Sequence, residues 1–511
     1  MTTEANPSTA FGNPVVETGF GPVRGTDDGQ VKVWKGIRYG APPVGELRWR
    51  APVAPNPWTE IADATEFGPI SPQPKSPIPL GQGTRTSEDC LFLNVWAPSG
   101  AEAGGAKPVM VWVHGGAYIF GSGSQPLYDG RTLASRGDVI VVTLNYRMGA
   151  FGFLDLSGLE SGGRTFDTNL GLRDVLLALH WVKDNIAAFG GDPAQVTLFG
   201  ESAGGGIVTT LLTAPAAAGL FARAIAQSSP ATSVYDRARA QTVAELVLDR
   251  LGVSAADARS VPVDAVVDAS FHAFEHVPTN TPGTLAYAPT VDGDLVPDYP
   301  VKLARAGRSH PVPLIIGTNR DEAALFRWMK SPLMPIAPKT IKAMFEEIAS
   351  EQPGLQLPSE AEIGSAYSGI RTKALGLHVA RDVGFRMPTV WFAEGHAEVA
   401  PVHLYRFDWT TPMLRLLRLG AAHATELPYV WGNLVMGAKD ITFKLGGLKP
   451  GTAVSARMQD RWIAFAKGES PWAAYDTTTR TTLVIDRDDR VADDLDSGIR
   501  AAWGDEILSF R

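Results

Sequence analysis

Cysteine is almost missing: Cys90 is the single one in 511 residues. No disulfide can therefore close within the chain, and no zinc site can be assembled from several thiolates. This economy fits a reducing compartment, and a cytoplasmic location is expected. Long apolar runs are missing too. The strongest, Val109 to Val113 and Val139 to Leu144, fall far short of the roughly 18 residues that a membrane-spanning helix needs. No membrane span is expected, and the chain should be soluble. The polar stretch Met1 to Pro14 holds no basic segment leading into an apolar run, which argues against secretion. Positive charge is in deficit, with 46 Lys and Arg against 54 Asp and Glu for a net charge of -8. Without a basic surplus to neutralise phosphates, nucleic-acid binding is not expected.

Apolar material is ample, with 44% hydrophobic and 20% charged residues, the balance of a chain with a large buried core. Runs rich in β-branched residues recur at Val109 to Val113, Val139 to Leu144, Val196 to Phe199, Val312 to Ile316 and Val402 to Phe407. Apolar on both faces, they suit buried strands of a mostly parallel sheet. Between them, Leu172, Val175, Leu176, Leu179, Val182 and Ile186 fall at helical spacing within Asn169 to Phe189, and Gly190-Gly191-Asp192-Pro193 stops that helix. The alternation predicts an α/β fold. The segments 235–288 and 330–390 have helical periodicity broken by Pro and Gly, and are read as insertions covering the sheet of a single domain spanning 1–511.

Ligand sites of open parallel sheets gather beyond the carboxyl ends of the strands, so the residues after each run carry the functional reading. Gly200-x-Ser202-x-Gly204 follows one strand and precedes small residues able to start a helix, as a nucleophile elbow requires. His114-Gly115-Gly116-Ala117 follows another. In isolation, a flexible turn is the better explanation of such paired glycines. Upstream of an elbow, the segment offers the backbone amides of Gly116 and Ala117, which with that of Ala203 make three donors for an oxyanion. The expected order is Ser, acid, His. Four histidines follow the acid candidates: His378 and His396 lie in helical patterns and His403 in a strand pattern, whereas His423 sits in a loop of small residues. Asp321 and Glu322 both follow the Val312 to Ile316 run, and position alone does not separate them.

At this point the sequence resembles the type-B carboxylesterases, which include acetylcholinesterase and bacterial para-nitrobenzyl esterases. Phe189 to Gly204 matches that family's serine signature, and Glu88 to Val95 is similar to its second one, with Phe92 where Tyr or Thr is usual. The resemblance runs from Gly36 to Gly468 and implies the α/β-hydrolase fold. It implies Glu322 as the acid, although Ala323 stands where Gly is usual, and His423 as the base, although Ala424 also replaces a Gly. Glu426 is retained. Glu201 would support the site electrostatically, Ser228 would lie near the acid, and Glu88 and Arg147 would form a structural ion pair. Ester hydrolysis through an acyl-enzyme, with neither metal nor organic cofactor, follows from the same likeness. Its partner would be a small-molecule ester, and the enzyme a monomer or small homo-oligomer. Amidase or thioesterase chemistry shares the route, and a binding module of this fold would lack the nucleophile that Ser202 supplies. The small residues Gly115-Gly116-Ala117 resemble those of esterases that accept tertiary alcohols. An apolar mouth is expected, with Tyr118, Ile119 and Phe120 following the oxyanion loop and Phe326 and Trp328 following the acid, although any one of them is more often a core residue than a pocket residue.

Overall fold

The β-branched runs become strands because their side chains are taken up on both faces at once. In the computed structural model, which describes residues 12–511 except 161, 369, 371, 436, 438 and 439, eleven strands form one sheet. They are β1 (Thr26–Asp27), β2 (Val31–Arg38), β3 (Phe92–Pro98), β4 (Lys107–Val113), β5 (Ile140–Leu144), β6 (Gly191–Glu201), β7 (Arg223–Gln227), β8 (Leu314–Asn319), β9 (Val402–Phe407), β10 (Thr482–Ile485) and β11 (Arg490–Ala492). Their spatial order is β11-β10-β9-β8-β7-β6-β4-β5-β3-β2-β1. The seven from β10 to β5 run parallel, and antiparallel pairs close both sides. The polar stretch read above as unsuited to secretion lies, as far as residue 11, outside the described residues.

Alternation along a strand divides the core into two layers. Val109, Val111 and Val113 of β4 face one layer, where the helix Leu170–Asn185 packs with Leu172, Val175, Leu179 and Val182. Met110 and Trp112 face the other, against Val454, Met458 and Trp462 of the helix Leu448–Ala466. The predicted helix continues as a tighter turn through Phe189, and Gly190 ends it with φ +90°. β4 starts two residues before its expected bound and β5 one residue after, and two strands are displaced further. β6 starts earlier, because Gly191 pairs with Lys107. β8 starts later and runs to Asn319, because Pro313, with no N–H to donate, stands at its beginning. Cys90 is fully buried, and burial pushes its thiol well above the usual range. No described helix is long and apolar enough to cross a membrane.

One expected contact is corrected. Glu88 and Arg147 do not pair. Glu88 is held by Arg48, with Nε–Oε1 at 2.6 Å and Nη2–Oε2 at 2.5 Å. Arg147 is held by Asp174, with Nε–Oδ2 at 2.9 Å and Nη2–Oδ1 at 2.7 Å. Arg147 follows the end of β5, where the second turn of the helix Leu170–Asn185 presents Asp174. Each half of the expected pair thus meets a planar, two-pronged partner from another element, the geometry that satisfies a buried guanidinium or carboxylate best.

Candidate active site

Because β4, β6, β7 and β8 are parallel neighbours, the residues after their carboxyl ends meet at one edge of the sheet. Ser202 follows β6 directly, with φ +57° and ψ -124°, and the helix Ala203–Leu211 starts behind it. Such backbone is strained for a residue with a side chain, at a cost of about 1–3 kcal/mol, and the flanking glycines let the turn close. A Cβ at Gly204 would stand 2.0 Å from the Val113 carbonyl oxygen, and one at Gly200 would stand 2.7 Å from the Gly204 carbonyl. The Ser202 amide donates to the Gln227 carbonyl at 3.0 Å, fixing the turn to β7.

The loop after β4 is equally constrained. Gly116 has φ +119°, and a Cβ there would lie 2.0 Å from the Phe120 carbonyl oxygen. Ala117 and Tyr118 continue with φ +52° and +60°. His114 is fully buried beneath the loop, with Nδ1 2.9 Å from the Gly115 carbonyl oxygen, and burial lowers its pKa to about 4. At neutral pH it is an uncharged brace. The amides of Gly116 and Ala117 have no acceptor among the described residues, and that of Ala203 opens a helix, ahead of the first hydrogen-bonded turn.

His423 arrives from the loop after β9. Its Nε2 lies 2.8 Å from Ser202 Oγ and its Nδ1 lies 2.6 Å from Glu322 Oε2. The second oxygen of Glu322 accepts from Ser228 Oγ at 2.6 Å and from the Asn319 amide at 2.7 Å. The structure therefore brings together the side chains of Ser202, His423, Glu322 and Ser228, and Ala117 and Ala203 line the same pocket as Ser202. It separates the two acids: Asp321 Oδ2 accepts from the Ala421 amide at 3.0 Å and pairs with Arg320, tying two loops together away from the imidazole. His378 and His396 lie in helices and His403 in β9, as expected.

Three buried glutamates surround this imidazole. Glu201 Oε1 approaches His423 Nε2 to 3.2 Å, and burial raises the Glu201 pKa to about 8. Burial by itself would press His423 down, but the charges of Glu201 and Glu322, with the hydrogen bond that Glu322 accepts from the ring, outweigh it and raise the pKa to about 9. Glu426, three residues on, is also fully buried, and its pKa is raised to about 7 by burial and by the charge of Glu322. Its oxygens accept from Gln227 Nε2 at 3.1 Å and from Asn319 Nδ2, while Gln227 Oε1 accepts from Trp462 Nε1 at 3.1 Å. One polar chain thus runs from Trp462 to Ser202 through apolar surroundings. Sequence reading noted Glu426 without a role and missed Gln227 and Asn319. The last residue of a strand gives no periodic signal that its side chain turns into a site.

A largely apolar pocket opens above Ser202, lined by Ala117, Tyr118, Pro230, Leu285, Phe326 and Phe385 among others. The rings of Phe385 and Phe326 lie 4.6 and 5.2 Å from the imidazole. The expected mouth is corrected in part. Tyr118 and Phe326 line the pocket, but Phe120 packs against Phe274 in the core, Ile119 is buried there, and Trp328 is 61% exposed outside the lining. Trp328 ends the short helix Ala323–Trp328, which turns it away to solvent.

A family model described as the carboxylesterase family matches residues 12–497. The chain belongs to this family. As a carboxylesterase it is an enzyme that hydrolyses carboxylic esters, and the α/β-hydrolase fold is the one its structural neighbours share. It is 39% identical to the para-nitrobenzyl esterase of Bacillus subtilis (strain 168), over 94% of this chain and 97% of that protein. With the phenmedipham hydrolase of Pseudarthrobacter oxydans it shares 31% identity, over 94% and 97%. Among solved carboxylesterase structures, a para-nitrobenzyl esterase superposes with a TM-score of 0.82 at 37% identity, covering 96% of this chain and all of that one. A Geobacillus stearothermophilus carboxylesterase gives 0.82 at 36%, with the same coverage.

Proposed function

We propose that this carboxylesterase acts through Ser202, His423 and Glu322 on small to medium esters with apolar arms. The observation that carries the reading is the unbroken chain from Ser202 Oγ through both imidazole nitrogens to Glu322. His423 Nε2 takes the hydroxyl proton as Ser202 Oγ attacks the ester carbonyl, and Glu322 fixes the ring by accepting from Nδ1 and stabilises the imidazolium. The tetrahedral oxyanion rests on the amides of Gly116, Ala117 and Ala203. His423 returns the proton to the departing alkoxide, and the acyl group stays on Ser202. Water, deprotonated by the same nitrogen, attacks that acyl carbon and releases the acid.

Preference for apolar arms rests on the pocket lining, whose only polar side chains among the described residues are those of Ser202, Thr232, Ser233, Ser509 and Tyr118. The helices Arg237–Leu251, Val263–Asn280 and Pro338–Glu351 belong, on this reading, to insertions of a single hydrolase domain. The lone cysteine supports a reducing, cytoplasmic setting.

The deciding experiment is labelling with a fluorophosphonate. One adduct per chain, located on Ser202 by mass spectrometry, is the expected result, and an adduct elsewhere would sink the reading. Hydrolysis of tert-butyl acetate, followed by gas chromatography, tests the small loop at Ala117. Release of tert-butanol should be slower than release of para-nitrophenol from its acetate and faster than in Ala117→Val, where a β-branched side chain fills the loop.

A further inference from the structure

Residues 508–510 return to the pocket from the far end of the sequence. Leu508, Ser509 and Phe510 line it together with Leu285, Met344 and Ile348, and Leu508 and Phe510 are buried. Gly283 marks the point of closest approach. With φ +92°, its missing Cβ would stand 2.9 Å from Cγ and Sδ of Met344 and 3.2 Å from Cε2 of Phe510.

What holds this segment is built from two separate helices. Arg239, in the helix Arg237–Leu251, has its guanidinium 5.3 Å from the Phe510 ring and 5.5 Å from the Tyr235 ring. Its Nε donates to the backbone oxygen of Arg511 at 2.9 Å, and its Nη2 pairs with Glu351. Glu351, ending the helix Pro338–Glu351, accepts from the Arg511 amide at 2.7 Å, and Gln352 Nε2 donates to the Ser509 carbonyl oxygen at 2.6 Å. Tyr235 Oη accepts from the Leu285 amide at 2.8 Å, which joins a second wall of the pocket to the same clamp.

We propose that Phe510, positioned by the Arg239–Glu351 clamp, limits the length of acyl chain the enzyme accepts. The assignment to the acyl arm rests on the mechanism proposed above. His423 must reach the leaving oxygen, so the alcohol arm lies beside the imidazole, where Phe326 and Phe385 already stand. The acyl arm extends from the carbonyl carbon the other way, toward Leu285, Met344 and Phe510. The phenyl ring then ends the space open to it, and Arg239 is a positioning residue.

The test compares kcat/KM for para-nitrophenyl acetate, butyrate, octanoate and laurate, and separately for ethyl, hexyl and octyl acetates. Phe510→Ala should raise the octanoate-to-acetate ratio at least tenfold, since each methylene newly buried is worth about fourfold. Phe510→Trp should lower it. Arg239→Met should shift the ratio as Phe510→Ala does, by less, a change that a merely structural residue would not produce in surviving enzyme. An unchanged acyl profile in variants that melt as wild type does, or a shift confined to the acetate series, would overturn the proposal. Should Phe510→Ala not fold, Phe510→Leu and Phe510→Trp carry the same comparison. The ratio is read independently of which serine is acylated, so a fluorophosphonate adduct away from Ser202 would defeat the mechanism and leave this measurement standing.

Discussion

Two buried groups of charge in this molecule use the same kinds of side chain to opposite ends. Around Asp174 the charges balance and every prong is taken: Arg147 Nε and Nη2 meet the carboxylate, the Arg147 amide donates to it at 2.9 Å, and Nη1 reaches the Arg50 carbonyl at 2.8 Å. Around His423 two carboxyl groups, Glu322 and Glu201, meet one imidazole with Glu426 buried nearby, and Glu201 Oε1 has no hydrogen-bond partner among the described residues. The first arrangement leaves no charged atom of the pair without a partner. The second holds two groups, Glu201 and His423, whose proton affinities are both displaced upward. A satisfied cluster supports a fold, and an unevenly satisfied one supports chemistry.

The widest separation is expected from losing a member of the reactive chain. Ser202→Ala should lower ester turnover by several orders of magnitude with an unchanged urea midpoint. Glu322→Gln should cost on the order of 10⁴-fold, because the amide no longer fixes the imidazole tautomer, whereas Asp321→Asn should cost less than about tenfold. The reverse order of the two acids would move the catalytic carboxylate to Asp321. Next in size is Asp174→Ala, which leaves Arg147 buried without its counter-charge and should destabilise the fold by about 3–5 kcal/mol in denaturant titration. Turnover per folded molecule should hardly change, and a comparable loss of both would erase the contrast between the clusters.

A subtler break concerns pH. The negative charge of Glu201 favours the imidazolium, so Glu201→Gln removes a term that raises the His423 pKa. Proton uptake from Ser202 requires neutral imidazole, and the acid limb of kcat/KM should therefore move to lower pH, by about one unit for each 1.4 kcal/mol of interaction lost. An unmoved acid limb would show that Glu201 stays protonated throughout, and an upward shift would show that it does not favour the imidazolium. The smallest effect is expected at Ala424, which holds φ +64° beside His423. A left-handed backbone costs an alanine about 1–2 kcal/mol, part of which Ala424→Gly returns against the extra freedom of the unfolded glycine. Thermal unfolding should show a rise of no more than about 1 kcal/mol.

Much of this was legible in residue order because strands buried on both faces advertise themselves. Val109 to Val113 and Val402 to Phe407 were placed by their apolar runs, and the ends of such strands located Ser202 and the acid pair. The choice of Glu322 came from family likeness and not from spacing, since adjacent residues after a strand differ only in where their side chains turn. Pairings across long separations stayed hidden. Arg48 with Glu88, Arg147 with Asp174 and Gln227 with Glu426 each depend on which elements become neighbours, and no local pattern encodes that. Trp328 was misplaced for a related reason, because a short helix of six residues can present its last side chain either inward or to solvent.

Cys90 gives the molecule a practical property. Its thiol is enclosed in the core and held in the unreactive protonated form, so maleimides and iodoacetamides should pass the native enzyme by. A cysteine substituted for exposed Trp328 or Val435 would then be the one reactive thiol on the surface. A fluorophore or spin probe could be attached there in a single step, with no background to remove first.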